Sequence, residues 1–142
     1  MKLDLEVGQT ASRTQTITSE PARLYTEISG DRNPLHYDEA FVAGTQFVRL
    51  VVQGGITAAA LHALVAEDMP GPGTVFLSQD WKFTTLVFIE DTITGSAEVL
   101  RVHDSKPVCH LRVEVTREEG EPVLEREGWC YRFSSTEGQV QT

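Results

Sequence analysis

Gly54-Gly55-Ile56-Thr57-Ala58-Ala59-Ala60-Leu61-His62-Ala63-Leu64-Val65-Ala66 is the most apolar helix-forming stretch of this 142-residue chain. Alanine and leucine favour the helix strongly. Two glycines open the run, and Met69-Pro70-Gly71-Pro72-Gly73 ends it, because proline and glycine break helical periodicity. Being apolar nearly all round, the segment predicts a helix buried inside the fold, not one lying on a wet surface. Its small side chains let a sheet approach closely. The break after it is too short and proline-rich to cradle a phosphate.

The residues after that break supply the sheet. Residues 74–84 alternate, which predicts a strand with Val75, Leu77, Gln79, Trp81 and Phe83 on one side. Residues 89–103 read as a longer strand entered through Ile89-Glu90-Asp91. After a turn at Lys106-Pro107, Cys109, Leu111, Val113 and Val115 alternate with His110, Arg112, Glu114 and Thr116, the pattern of a half-buried strand. Glu118-Glu119-Gly120-Glu121-Pro122 is a hairpin connection into residues 123–133, where Trp129, Tyr131 and Phe133 share a face. Ahead of the helix, the Thr-rich run 11–18 is β-prone and predicts an edge strand. One strand, a long apolar helix and four successive antiparallel strands predict an α+β layering in which a sheet wraps the helix.

Between the first strand and the helix lies polar, punctuated sequence. Thr18-Ser19-Glu20-Pro21 carries a hydroxyl cap, an early acid and a first-turn proline, the marks of a helix start. Ala22, Leu24, Tyr25 and Ile28 are expected to form that helix's apolar side, and Gly30 ends it. A second short helix is expected over residues 38–44, stopped by Gly44. Residues 45–53 connect it to the apolar helix. Residues 134–142 are polar and are expected to fray. There is no internal repeat, linker or low-complexity stretch, so a single domain over residues 1–142 is expected, with its core at about 10–133.

Hydrophobic residues make up 40% and charged residues 23% of the chain, ordinary values for a globular protein. No apolar run nears the ~20 residues that span a bilayer. The N-terminus lacks the apolar core of a signal peptide, so a cytoplasmic location and no membrane partner are expected. A net charge of −9 argues against nucleic acid as a partner. Cys109 and Cys130 lack CxxC spacing and are expected to be buried reduced thiols. His36, His62, His103 and His110 form no metal-ligand pattern, and no metal or cofactor is expected.

Gly30-Asp31-Arg32-Asn33-Pro34-Leu35-His36-Tyr37-Asp38 carries the chemistry. Gly-Asp and Asn-Pro are also common turn chemistry. Here, however, a carboxylate and an imidazole stand five residues apart on a loop that proline stiffens, since Pro34 fixes its own φ and restricts Asn33. Such a pair can converge on a water molecule, and acid–base groups act only when held within reach of the proton they move. Asp38 reads as a helix cap.

Tyr25, Ser29-Gly30-Asp31, Asn33-Pro34-Leu35-His36, Asp38 and Ala40 together resemble the signature of the MaoC-like (R)-specific enoyl-CoA hydratases. Pro70-Gly71-Pro72-Gly73, Leu77-Ser78-Gln79, Lys82-Phe83 and Ile89-Glu90-Asp91-Thr92 extend the resemblance over about residues 10–133. It implies a single hot-dog domain, an antiparallel sheet around a long central helix with an overhanging catalytic segment, and a homodimer paired through the sheet. It further implies an Asp31–His36 pair sharing a catalytic water, with Asn33 orienting the substrate or the pair. A Gly54 backbone N–H would receive the thioester oxygen, as suits an amide at a helix N-terminus. Where that family usually has His-Gly-Met, this chain has Gln53-Gly54-Gly55, which bears on substrate choice and rate.

The implied substrate is an acyl thioester of coenzyme A or of an acyl carrier protein, hydrated or, in reverse, dehydrated. A polyanionic carrier requires a local basic patch, for which Lys82, Arg101, Lys106 and Arg112 are candidates. Two alternatives stand beside this reading. A hot-dog thioesterase would use an acid on or near the central helix, where Glu67 and Asp68 fall at the far end. A non-catalytic acyl-thioester-binding subunit would keep the fold alone. His62 is expected to be structural or to line an acyl pocket, and His103 and His110 to be surface residues without partners.

Overall fold

The computed structural model describes residues 1–135; the remaining residues of the predicted frayed tail, 136–142, lie outside the described residues. In chain order the elements are β1 (Thr10–Thr16), α1 (Ser19–Ser29), a 3-10 turn (Pro34–His36), α2 (Glu39–Ala43), α3 (Gly54–Glu67), β2 (Thr74–Phe83), β3 (Thr92–Val102), β4 (Val108–Arg117) and β5 (Pro122–Arg132). The five strands make one antiparallel sheet in the order β1-β3-β4-β5-β2. Sequential hairpins β3-β4-β5 form its centre, and the strands flanking α3 in sequence become its two edges. That is the predicted α+β layering, a sheet folded about one helix.

Alanine content is what lets helix and sheet meet. On α3, Ile56, Thr57, Ala58, Ala60, Leu61, Leu64 and Val65 are buried. They pack against Ile93, Val99, Leu111, Val113, Val115 and Leu124 from the sheet. Leu61, Leu64, Ile93, Val99 and Leu111 are all at 0% exposure, and each such side chain contributes about 1.5–3 kcal/mol on burial. At the closest approach, a Cβ added to Gly95 would lie 3.2 Å from Ala60 Cβ. Small residues on both layers therefore set the spacing. Cys109 and Cys130 face each other across β4 and β5, buried and free.

Three expectations are corrected. Thr18 is the N-cap residue of α1, yet its hydroxyl makes no capping bond. An N-cap oxygen accepts from the second or third helical N–H, and the third position is Pro21, which has none. The apolar side of α1 is also different: Ala22 and Thr26 are buried, whereas Leu24 is 44% and Ile28 83% exposed. The helix turns its 22–25–26 face towards the start of α3, and the Leu24–Ile28 stripe is left outside. Finally, the strict alternation expected over residues 74–84 breaks at a register shift between Phe76 and Ser78. An extra residue reverses which face the side chains take. Phe76 and Trp81 consequently pack on the core, while Val75 and Leu77 remain exposed. Phe83, on the Trp81 side, lies at the strand end beside Gly54 and is half-exposed.

Two histidines have more structure around them than expected. His110 is not a lone surface residue. Its register places Trp129 opposite, the two rings stack at 4.3 Å and 2°, and Nε2 lies 2.7 Å from a Glu127 carboxylate oxygen. His103 is exposed, but its Nδ1 accepts the backbone N–H groups of Ser105 and Lys106 and so closes the β3–β4 turn.

Candidate active site

The Asp31–His36 segment is shaped by its own polar side chains before any tertiary contact is made. Gly30 ends α1 at φ 78°, a left-handed conformation that glycine adopts without penalty. Ser29 Oγ donates to the Tyr25 carbonyl at 2.7 Å and accepts the Asp31 N–H at 3.0 Å. Asp31 Oδ1 accepts the Asn33 N–H at 3.1 Å, and Asn33 Oδ1 accepts the Leu35 N–H at 3.1 Å. These are two successive side-chain-to-backbone turns of the kind Asp and Asn favour. Tyr37 closes the loop by donating its hydroxyl to the Arg32 carbonyl. Asp38 Oδ1 accepts the Phe41 N–H at 3.0 Å, so it caps α2 as expected.

The loop is then pinned to the lead-in of α3. Val51 N–H donates to the Leu35 carbonyl at 2.9 Å, and His36 Nδ1 lies 2.7 Å from the Val51 carbonyl oxygen. A carbonyl only accepts, so Nδ1 carries the proton, and in the neutral ring Nε2 holds a lone pair. That nitrogen faces Asp31 Oδ2 at 3.4 Å. In that neutral form two acceptors face each other, too far apart for a strong mutual bond. A water molecule donating one O–H to each would satisfy both. The His36 side chain is 11% and the Asp31 side chain 38% exposed, so the imidazole is sheltered and the carboxylate faces the opening.

Gly54 is the first residue of α3, three positions beyond Val51, so the pinned imidazole and the helix N-terminus are tied through about 10 Å of chain at most. No hydrogen bond from the Gly54 N–H is found among the described residues. A Cβ at Gly54 would lie 3.3 Å from the Phe83 ring, so any side chain there would press on that ring. The sequence-selected Asp31, Asn33, His36 and Gly54 thus sit on one connected stretch of backbone. Asn33 Oδ1 is engaged in its turn, which leaves its amide NH2 as the group it can offer outward.

Beside His36 a groove of about 510 Å3 runs along α1, walled by Arg23, Arg32, Tyr37, Leu50 and Ile89. Arg23 is already held by Glu20 at 2.6 Å and Glu27 at 2.8 Å, whereas Arg32 makes no ion pair among the described residues. The candidate cations do not all gather in one place. Lys82 lies on edge strand β2, separated by β5 and β4 from Arg101 on β3, and Arg112 is paired with Glu98 at 3.2 Å. Arg32, within the Gly30–Asp38 stretch, lines this groove.

His62 lies away from the pair, on α3. Its ring packs edge-on against Phe76 at 5.3 Å and Trp81 at 5.7 Å, and Gln79 Nε2 is 3.3 Å from its Nε2. Loss of hydration lowers its pKa. At the far end of α3, Asp68 lies 3.6 Å from Arg13. The fourteen residues of α3 place that acid about 20 Å from Gly54. Among the described residues no group of three or more His, Cys, Asp or Glu side chains is placed to hold a metal. No helix among them is long and apolar enough to cross a membrane.

Comparison with known proteins matches these features. The family model described as "MaoC like domain" matches residues 4–121. An (R)-specific enoyl-CoA hydratase of Aeromonas caviae is 34% identical over 116 residues, covering 82% of this chain and 87% of that protein. A 3-hydroxybutyryl-CoA dehydratase of Methylorubrum extorquens is 40% identical over 96 residues, covering 68% of this chain and 61% of that protein. Among solved structures, an R-hydratase from Pseudomonas aeruginosa superposes with a TM-score of 0.85 at 32% identity, covering 98% of this chain and 93% of that one. With the sheet-wrapped helix and the Asp31–His36 loop in place, the chain belongs to the MaoC-like family and has its hot-dog fold.

Proposed function

We propose that this protein is a hydro-lyase that adds water to trans-2-enoyl thioesters to give (R)-3-hydroxyacyl thioesters, and catalyses the reverse dehydration. The observation that carries the reading is the pair of acceptors, Asp31 Oδ2 and His36 Nε2, 3.4 Å apart. A water held by both presents its oxygen lone pair to the substrate. As that oxygen bonds to the β carbon, a proton passes to the pair, and a proton is returned to the α carbon. The net change is H on one carbon and OH on the other. Charge that builds on the thioester oxygen meets the Gly54 N–H, strengthened by the α3 dipole. The outward NH2 of Asn33 orients the substrate or the pair.

The thioester arm is assigned to the groove along α1, with Arg32 facing the carrier's phosphates. The names of the two curated relatives support a coenzyme A thioester and the (R) product. An acyl-carrier-protein thioester presents the same reacting atoms. Pairing of two chains through the open β2 edge is supported by the exposed Val75, Leu77 and Phe83. The buried free thiols Cys109 and Cys130 support a reducing, cytoplasmic setting. Thioesterase chemistry is disfavoured because Asp68 sits beside Arg13 at the opposite end of α3.

The test monitors loss of the conjugated enoyl-thioester absorbance across a series of acyl lengths, on coenzyme A and on acyl carrier protein. Turnover on either carrier, with a 3-hydroxyacyl product of (R) configuration, is the expected result. Release of free thiol from saturated acyl-CoA without hydration would replace this reading with the thioesterase. Binding without turnover would replace it with the non-catalytic subunit.

A further inference from the structure

The two residues that flank Gly54 both face α1. Gln53 is 1% exposed, and its Nε2 donates to Thr26 Oγ1 at 3.0 Å and to the Ala22 carbonyl at 3.3 Å. Thr26 Oγ1 itself donates to the Ala22 carbonyl at 3.1 Å, which closes a small polar triangle between the helices. Gln53 Oε1 is buried without a partner. On the other side, Gly55 has no side chain because its space is taken: a Cβ there would overlap the Tyr25 hydroxyl and ring.

We propose that Gln53 and Gly55 are positioning residues that lock α1 onto the first turn of α3, and so set the catalytic pair against the Gly54 amide. This inference rests on the hydratase reading above. The contacts run in one line. Gln53 holds Ala22 and Thr26, Gly55 seats Tyr25, and the Tyr25 carbonyl holds Ser29 Oγ, which holds the Asp31 N–H. A shift of α1 along α3 is therefore passed to Asp31. Misplacement by 1 Å at such a site can cost about a hundredfold in rate.

Energetics favour a role in geometry over one in stability. A buried carbonyl without a hydrogen bond is destabilising, and an apolar residue of similar size would remove that penalty. Glutamine is thus a poor choice for packing alone. What it gives that leucine cannot is direction, because an amide bonds only when Thr26 and Ala22 stand at the right height along α1.

The test compares Gln53→Leu, Thr26→Val and Gly55→Ala with the wild type, by kcat, KM and melting temperature. Gln53→Leu is expected to lower kcat about tenfold or more, with KM changed less than about threefold and melting within a few degrees of wild type. Thr26→Val removes the same acceptor from the other helix, and serves if the first variant does not fold. Gly55→Ala, which evicts the Tyr25 ring, lowers kcat likewise. Because both act on one docking, Gln53→Leu with Gly55→Ala falls little below the worse single variant. Wild-type kcat in Gln53→Leu or Thr26→Val, or multiplicative losses in the double variant, would overturn the lock. A wild-type protein that hydrates no enoyl thioester would remove the hydratase reading and the lock with it.

Discussion

The sheet-wrapped α3 and the segment of residues 17–52 are held by different physics. Around α3 the fold closes on large apolar side chains at or near zero exposure, with glycine and alanine setting the distance between layers. Residues 17–52 are anchored to that core by buried Ile17, Ala22 and Val52, yet leave Leu24, Ile28, Tyr37, Phe41 and Val48 exposed. Between the anchors the loop holds its shape through directional bonds: Asp31 to Asn33, Asn33 to Leu35, His36 to Val51 and Asp38 to Phe41. Hydrophobic burial is strong but indifferent to tenths of an ångström. Hydrogen bonds are weak in net stability but specify angle and distance. A pair that is to move protons, the role proposed for Asp31 and His36, needs the second, and the chain supplies it on a support built by the first.

If that division is right, substitutions in the two regions separate rate from stability. The largest effect is expected at His36→Gln, which removes the Nε2 base: turnover falls by about 10²–10⁴, the usual contribution of a general acid–base group, with little change in melting temperature. Steady-state assay beside calorimetry checks both halves. In the core the pattern reverses. Leu61→Ala empties space under the sheet and costs about 2–5 kcal/mol in denaturant unfolding, while kcat per folded molecule is retained. A fall in kcat to match would erase the distinction.

Smaller changes sharpen it. Asp38→Ala loses the α2 cap and about 1 kcal/mol by urea titration, and because α2 lies after the pair in the chain, turnover changes only modestly. The smallest effect concerns pH. Burial lowers the His62 pKa, so between its folded value and the ordinary 6.5 the unfolded chain binds more protons than the folded one. The stability held above pH 6.5 is therefore lost as pH falls through that window. Melting temperature scanned from pH 7.5 to 5 should drop less in His62→Gln than in the wild type.

How much of this was legible in the sequence divides along the same line. Period and composition are local, and they sufficed for α3, for the β3-β4-β5 hairpins and for the Asp38 cap. The fixed spacing of Asp31, Asn33 and His36 marks a loop in which Asp31 Oδ2 and His36 Nε2 stand 3.4 Å apart. Long-range direction was not legible. Leu24 and Ile28 looked like an inner face because an apolar stripe has no label for which side meets α3. The bulge after Phe76 turned an even alternation inside out. A sheet order with β2 at the far edge sets Lys82 apart from Arg101 on β3, while Arg32 lies beside the groove. In the sequence Gln53 stands out only as a departure from a pattern, since its partners Ala22 and Thr26 lie about thirty residues away in the chain.

Asp31→Asn tests the central claim most directly. It keeps size and the Oδ1 bond to Asn33 but replaces a proton acceptor with a group that cannot take a proton. In one preparation, enoyl-thioester hydration, thioester binding and melting temperature are measured together. The account predicts loss of turnover by about 10² or more, with binding and melting close to wild type. Undiminished turnover in this variant would contradict the claim that Asp31 and His36 act on a shared water.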